Sequence, residues 1–234
     1  MTSGIQLSII IPVLNEGAIA GDYLSQFADD DRVEVLIVDG GSQDQTVAIC
    51  HQFPVQVLAS PIAGRAQQMN FGAKHAQGEI LLFLHLDSRL PPNFLTLITQ
   101  TLADPTVIAG AFPLAIALPG WRYRWLEKAI LWRSQIWQLP YGDQGLFLRQ
   151  KHFQPLGGFA DLPLMEDYEL VQRLKRLGQV AIASAAVTTS GRRWQKLGLV
   201  KTTLINQAII LGYRLGIDPQ TLALLYYQQP SPRP

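Results

Sequence analysis

Val35-Leu36-Ile37-Val38-Asp39-Gly40-Gly41-Ser42-Gln43-Asp44-Gln45-Thr46 decides how this chain folds. An apolar run ends in an acid, a double-glycine turn follows, and the polar residues beyond it start a helix. In an open α/β sheet this is how a parallel strand presents a carboxylate at its carboxyl end, where such sheets bind ligands. Gly40 and Gly41 let the backbone turn sharply and let a ligand come close. Ser42 or Asp44 is placed to cap the helix. Alone, the stretch implies a nucleotide-like ligand at a strand end.

Outward from it, similar apolar runs occur at Leu7–Val13, Val33–Val38, Val55–Ala59 and Ile80–Leu84. Segments of helical character, Glu16–Phe27, Gln43–Gln52 and Ala66–Ala76, lie between them. This alternation predicts a mostly parallel, Rossmann-like α/β sheet with right-handed crossovers. Runs of Val, Ile and Leu without polar interruption fit strands covered by helices on both faces. Pro91-Pro92 opens a helix through Leu102, and Val107–Leu118 reads as a strand, antiparallel among its options. The chain divides accordingly into a main domain over 1–190 and a helical tail over 191–234. Within the main domain, a nucleotide-binding half spans about 1–104 and an acceptor half about 105–190.

Composition narrows the classes. With 234 residues, 48% hydrophobic and 16% charged, the chain can bury a sizeable core. A formal net charge of +1 gives no broad field for nucleic acid. The single cysteine, Cys50, excludes an internal disulfide framework. No basic region followed by an apolar run opens the sequence, which leaves the cytoplasm as the expected compartment.

Two stretches suggest contact with something apolar. Trp121, Trp125 and Trp132 fall on one helical face, among Arg122, Arg124, Lys128 and Arg133. That face either packs on the sheet or lies at a membrane–water boundary. Leu197–Ile217 is amphipathic, interrupted by Lys201, Asn206, Gln207 and Arg214, so it docks on the domain or lies on a membrane rather than spanning one. The end, Gln228–Pro234, is proline-rich.

Further acids sharpen the reading. Ile80–Leu84 leads to His85-Leu86-Asp87, and continued strand alternation would put Phe83, His85 and Asp87 on one face. Asp87 with a diphosphate suffices to hold magnesium, or else it caps the loop before Pro91. Asp167 precedes the stripe Leu170, Val171, Leu174 and Leu177, so it faces inward at a helix start, where a carboxylate can take a proton from a hydroxyl. Glu166 lies about 100° away on that helix. Asn15 caps the helix after the first strand, and Glu16 faces the sheet edge. Arg65 after Gly64 is a phosphate candidate at a helix start, and Arg192-Arg193 is a second basic pair.

Together these pieces resemble the family 2 glycosyltransferases of the A-type fold. The matching segments are Ile9-Ile10-Ile11-Pro12-Val13-Leu14-Asn15-Glu16, Val38 to Thr46, Asn70-Phe71-Gly72-Ala73, Leu86-Asp87, Gly157-Gly158-Phe159 and Glu166-Asp167. Their order and spacing match over about Leu7 to Leu177. Gly64 to Asn70, His85-Leu86-Asp87 and Gly191-Arg192-Arg193 look like a narrower group, compact bacterial transferases associated with radical-SAM/selenodomain proteins. The resemblance implies a nucleotide-sugar donor, a UDP-sugar foremost, and Mg2+ or Mn2+. It also implies inversion and a hydroxyl acceptor that can be lipid-linked, reached at the inner face of a membrane. Asp39 would contact the base, Asp87 the metal, and Asp167, beside Glu166, would be the general base. Pro12, Asn15, Glu16, Arg65, His85, Arg192 and Arg193 would surround the nucleotide. His85 departs from the family's Asp-x-Asp, whose first position often touches ribose; histidine can hydrogen-bond a ribose hydroxyl or ligate manganese. A nucleotidyltransferase would carry a glycine-rich basic loop after its first strand, where Pro12-Val13-Leu14-Asn15-Glu16 stands. A non-catalytic nucleotide-binding scaffold would have no use for three retained acids.

Overall fold

The computed structural model describes residues 4–27 and 30–227, so the proline-rich end lies outside the described residues. Its first half alternates as expected: β1 (Leu7–Val13), α1 (Gly17–Leu24), β2 (Val33–Asp39), α2 (Thr46–Cys50), β3 (Gln56–Ala59), α3 (Arg65–His75) and β4 (Ile80–Phe83). Next come β5 (Ser88–Arg89), α4 (Phe94–Thr101), β6 (Val107–Ala111), β7 (Leu114–Ile116) and α5 (Trp121–Ile136). A 3-10 turn at Gly142–Gln144 precedes β8 (Leu146–Arg149), α6 (Gln150–Phe153), α7 (Glu166–Leu174), β9 (Gln179–Ile182) and β10 (Val187–Thr189). Three helices follow, α8 (Arg192–Leu197), α9 (Leu199–Arg214) and α10 (Pro219–Tyr227).

Seven strands form one sheet in the order β3-β2-β1-β4-β8-β6-β9, and β5, β10 and β7 form a second. β1 pairs parallel with β2 and β4, and β2 with β3. β8 alone runs against its neighbours, β4 and β6, so β6 points the same way as β4. The expected long strand Val107–Leu118 is therefore two strands in two sheets, divided at Phe112-Pro113. Pro113 has no N–H to continue a ladder. The antiparallel strand is β8, four residues too short to show a period.

Continuous apolar strands bury both faces. Ile9, Ile11, Val35, Ile37 and Leu82 pack on one side with α1, α2 and α4. Ile10, Leu36, Val38, Leu81 and Phe83 pack on the other with α3, α7 and α9. Gly72 brings α3 close, since a Cβ there would sit 2.6 Å from Ile10 Cγ2. α1 and α2 are shorter than their polar flanks suggested, and Pro91-Pro92 lie in the turn before α4 instead of in its first turn. α5 packs through Tyr123, Leu126 and Ile130, while Trp121, Trp125 and Trp132 are exposed, so those tryptophans do not bind the helix to the sheet. The tail docks on the body: Ile209, Leu222 and Ala223 are buried in the same cluster as α3 and α7.

Candidate active site

At the carboxyl end of β2, Asp39 is buried and turned back on its own loop. It accepts hydrogen bonds from the backbone of Gly41 at 3.0 Å and Ser42 at 3.1 Å. Gly40 donates to the Val13 carbonyl at 2.9 Å, tying this loop to β1. Buried Gln68 of α3 donates to the carbonyls of Val13 and Val38 at 2.9 and 2.7 Å, and its carboxamide leaves no room for a side chain at residue 40. Asn15 was expected to cap α1. Instead, at φ 53, it accepts from the Gln43 backbone at 2.8 Å, and its own N–H donates to Ser42 Oγ at 2.9 Å. The first amide of α1, Gly17, is met by Asp44 across the loop at 3.1 Å. Asp44 also receives the Thr46 amide at the start of α2. One loop thus closes two helix starts.

The second half of the site hangs on Asn70 of α3. Its carboxamide exchanges two hydrogen bonds with the backbone of Phe159, at 2.8 and 2.9 Å. Gly158, at φ 75, must lack a side chain there, because a Cβ would fall 2.3 Å from Asn70 Oδ1. Arg173 of α7 donates to the carbonyls of Leu156 and Gly158 at 2.6 and 2.7 Å. This loop delivers the chain to Met165, a non-glycine residue at φ 72, immediately before Glu166. Backbone outliers of this kind collect where function holds them.

Glu166 is buried and lies 3.5 Å from Arg65 Nη1. Burial and the neighbouring Asp167 raise its pKa, against the pull of Arg65. Asp167 is only half-buried. Gly142 donates to Asp167 Oδ2 at 2.5 Å, and the Tyr168 backbone donates to Oδ1 at 2.7 Å. The inward direction read from the helical stripe holds for Asp167, although Leu177, past the helix end, is exposed.

Two cavities meet at Arg65. A cleft of about 560 Å3 is lined by Pro12, Glu16, Gly64, Arg65, Gln68 and Tyr227, among others. A chamber of about 150 Å3 is bounded by Arg65, His85, Asp143, Glu166, Asp167 and Asn206, closed by Tyr141, Tyr226 and aliphatic residues of α9. Burial and the Arg65 cation push His85 down to about 3, so its imidazole is neutral. Burial, then nearby Asp87, pushes Glu16 up to about 7. β4 ends at Phe83 and a turn carries Leu86-Asp87, so the expected alternation through Asp87 does not occur. Asp87 instead faces Arg192, Oδ2 to Nη2, at 3.4 Å. Arg193 turns elsewhere, stacking on Tyr226 at 3.9 Å.

The resemblance implies a divalent ion, and the residues fit one held largely by its substrate. Among the described residues no group of three or more His, Cys, Asp and Glu forms a cage. Asp87 is a quarter exposed and only loosely paired. One or two carboxylates with phosphate oxygens is a usual set for magnesium.

The structure thus gathers Arg65, His85, Glu166 and Asp167 on one chamber and Pro12, Glu16 and Arg65 on one cleft. Asp39 and Asn15 line neither of these two and hold the adjoining loop. The sequence reading passed over Tyr141-Gly142-Asp143-Gln144. Turn residues between Pro140 and the apolar Leu146–Leu148 were the available signal. Gln144 is fully buried, its Oε1 accepting from Arg133, Ser134 and the Tyr141 backbone.

Cavities at the carboxyl ends of parallel strands, in a sheet carrying one antiparallel member, define the A-type glycosyltransferase fold. Residues 8–159 match the model of Glycosyl transferase family 2, and the chain belongs to that family. A mannosyltransferase from Pyrobaculum calidifontis, solved with GDP-Man and Mn2+, aligns with a TM-score of 0.66 at 20% identity, covering 97% of this chain and 71% of that one. Glucosyl-3-phosphoglycerate synthase from Mycobacterium tuberculosis, solved with Mn2+, UDP-glucose and phosphoglyceric acid, gives 0.63 at 20%, covering 92% and 81%. In sequence the chain is 27% identical over 191 residues to beta-monoglucosyldiacylglycerol synthase from Synechocystis. That match takes in 72% of this chain and 40% of the relative, so the chain spans less than half the length of that protein.

Proposed function

We propose that this chain transfers a sugar from a nucleotide-sugar donor, a UDP-sugar foremost, to an acceptor hydroxyl with inversion at the anomeric carbon. The observation that carries the reading is the setting of Asp167. Its two oxygens are held by the Gly142 and Tyr168 amides, and it opens on a chamber that meets the strand-end cleft at Arg65. A carboxylate so fixed is placed to act as a general base. The acceptor oxygen bonds to the anomeric carbon as that carbon's bond to the diphosphate breaks. The electron pair leaves with the diphosphate, and the hydroxyl proton passes to Asp167.

The other residues bind and orient. Arg65, at the start of an 11-residue helix, and Arg192 offer positive charge to the departing diphosphate. Glu166 keeps Arg65 at the junction. Pro12, Asn15, Glu16 and the loop clasped by Asp39 frame the nucleoside, while neutral His85 hydrogen-bonds a ribose hydroxyl. Arg193 braces Tyr226 over the chamber. Asp87 would hold Mg2+ or Mn2+, which when bound neutralises charge on the diphosphate. Mn2+ and nucleotide sugars in the two solved neighbours support this assignment.

A lipid-linked acceptor and a peripheral seat on the cytoplasmic face of a membrane belong to the same reading. Trp121, Trp125, Trp132 and Ile136 of α5 are exposed, and so are Val200, Leu204, Leu211 and Leu215 of α9. Both sets follow the spacing i, i+4, i+11, i+15, which confines each to one helical face. Residues 192–214 contain five basic and no acidic side chains, a balance suited to anionic lipid. Among the described residues no helix is long and apolar enough to cross a membrane.

The test is calorimetric titration with UDP and GDP, each with Mn2+, Mg2+ or chelator, followed by transfer assays with sugars of the nucleotide that binds. Metal-dependent binding of UDP is expected. Absence of binding by either nucleotide would remove the reading.

A further inference from the structure

Five buried side-chain atoms lack a hydrogen-bond partner among the described residues, and four gather in one place. They are Arg133 Nε, Asp143 Oδ1, Arg193 Nε and Asn206 Oδ1. Asp143 and Asn206 line both the chamber beside Asp167 and a smaller side pocket that Arg133 borders. Arg193 lies over Tyr226, which lines the same chamber. Nearly all buried polar groups in folded proteins find partners, so such a concentration of orphans calls for an explanation.

Their neighbours show that these groups are held in place. The Arg133 guanidinium stacks 3.5 Å from the centroid of Tyr141 and donates from Nη2 to Gln144 Oε1 at 2.9 Å. Gln144 in turn donates to the Phe112 carbonyl at 2.9 Å. Asp143 rides on the same 3-10 turn as Gly142, whose amide holds Asp167, so its carboxyl is fixed in relation to the candidate base. The opposite wall is apolar and aromatic, with Leu164, Met165, Ile209 and Tyr226.

The chemistry of the vacant positions is specific. Two oxygens await donors and one N–H awaits an acceptor. A hydroxyl is both donor and acceptor, so two neighbouring hydroxyls satisfy all three: one donates to Asp143, and the next donates to Asn206 while accepting from Arg133. A single alcohol leaves at least one orphan. The aromatic wall suits the carbon face of the same unit.

We propose that the chamber is an acceptor subsite for a vicinal polyol, a sugar or glycerol unit, whose adjacent hydroxyls pair with Asp143, Asn206 and Arg133. This rests on the transferase reading for its role and on the orphaned groups for its chemistry. The polyol presents a further hydroxyl to Asp167, and an acceptor with only one hydroxyl binds poorly.

The test uses saturation-transfer NMR on the full chain with UDP and Mn2+, comparing methyl β-D-glucoside with cyclohexylmethanol, a single alcohol of like size. The glucoside should saturate at least five-fold more strongly. Asp143→Ala and Asn206→Leu, each checked for folding by circular dichroism, should abolish that preference while UDP affinity stays within two-fold. Equal saturation by the two probes, or a preference that survives both substitutions, would overturn the subsite and leave a water-filled pocket. Calorimetry with UDP on the same samples separates the two readings. Nucleotide binding without glucoside preference defeats only the subsite. Glucoside preference without nucleotide binding leaves the polyol site standing and defeats the transferase reading.

Discussion

The loops at the ends of β1 and β2 and the turn at Gly142–Gln144 both border the candidate site, yet they spend their polar groups differently. In the first region Asp39, Asn15, Asp44 and Gln68 use their hydrogen bonds on backbone amides and carbonyls. In the second, Gln144 is saturated while Asp143, Arg133 and Asn206 keep atoms unpaired. The first arrangement fixes a shape against which a planar base can lie. The second withholds pairing until something with hydroxyls arrives. Rigidity and recognition thus sit on opposite sides of one cation, Arg65.

The comparison can be broken by substitution. Asp167→Asn should lower transfer by about 10²–10⁴-fold, as loss of a general base does, with UDP affinity changed by no more than a few-fold. Turnover close to wild type in that variant would take Asp167 out of the mechanism. Asp87→Ala should weaken UDP binding about ten-fold in Mn2+ and leave it unchanged in chelator, read by calorimetry. Equal loss in both conditions would show that Asp87 does not act through an ion.

Two smaller effects sharpen the contrast. Asp39→Ala orphans the amides of Gly41 and Ser42 and should cost about 1–3 kcal/mol in urea unfolding. A midpoint equal to wild type would mean that the loop stands without its clasp. On the other side, burial, with Asp167 and Asp87 adding, raises Asp143 from 3.8 to about 6. The folded carboxyl then keeps its proton at pH values where the unfolded chain has released its own. Its contribution is complete below pH about 4 and is lost as pH rises through about 6. Asp143→Asn should flatten that fall and gain on the order of 1 kcal/mol at pH 8 relative to pH 4. Parallel stability curves for variant and wild type would refute the assignment.

What could be read in the sequence was what strands and helix starts announce locally. Uninterrupted Val, Ile and Leu gave β1, β2 and β4 within a residue or so, and the stripe after Asp167 gave its direction. The errors arose where distant partners decide. Asn15 has the chemistry of a cap, but the Gln43 amide lay closer than the helix. Pro113 split one apparent strand between two sheets. β8 and the turn before it carry too few residues for any period, and Asp143 became meaningful only once α9 brought Asn206 opposite. The tryptophans of α5 were legible as a face, but whether that face turned toward the sheet depended on Leu126 and Ile130 packing instead.

Arg65 borders both cavities and pairs with Glu166 between them. A single guanidinium cannot answer two ligands independently. Whatever draws it toward the cleft alters the charge felt in the chamber, and thermodynamic reciprocity requires the converse by the same factor. Donor and acceptor should therefore sense one another before any bond is made, which gives their arrival a preferred order.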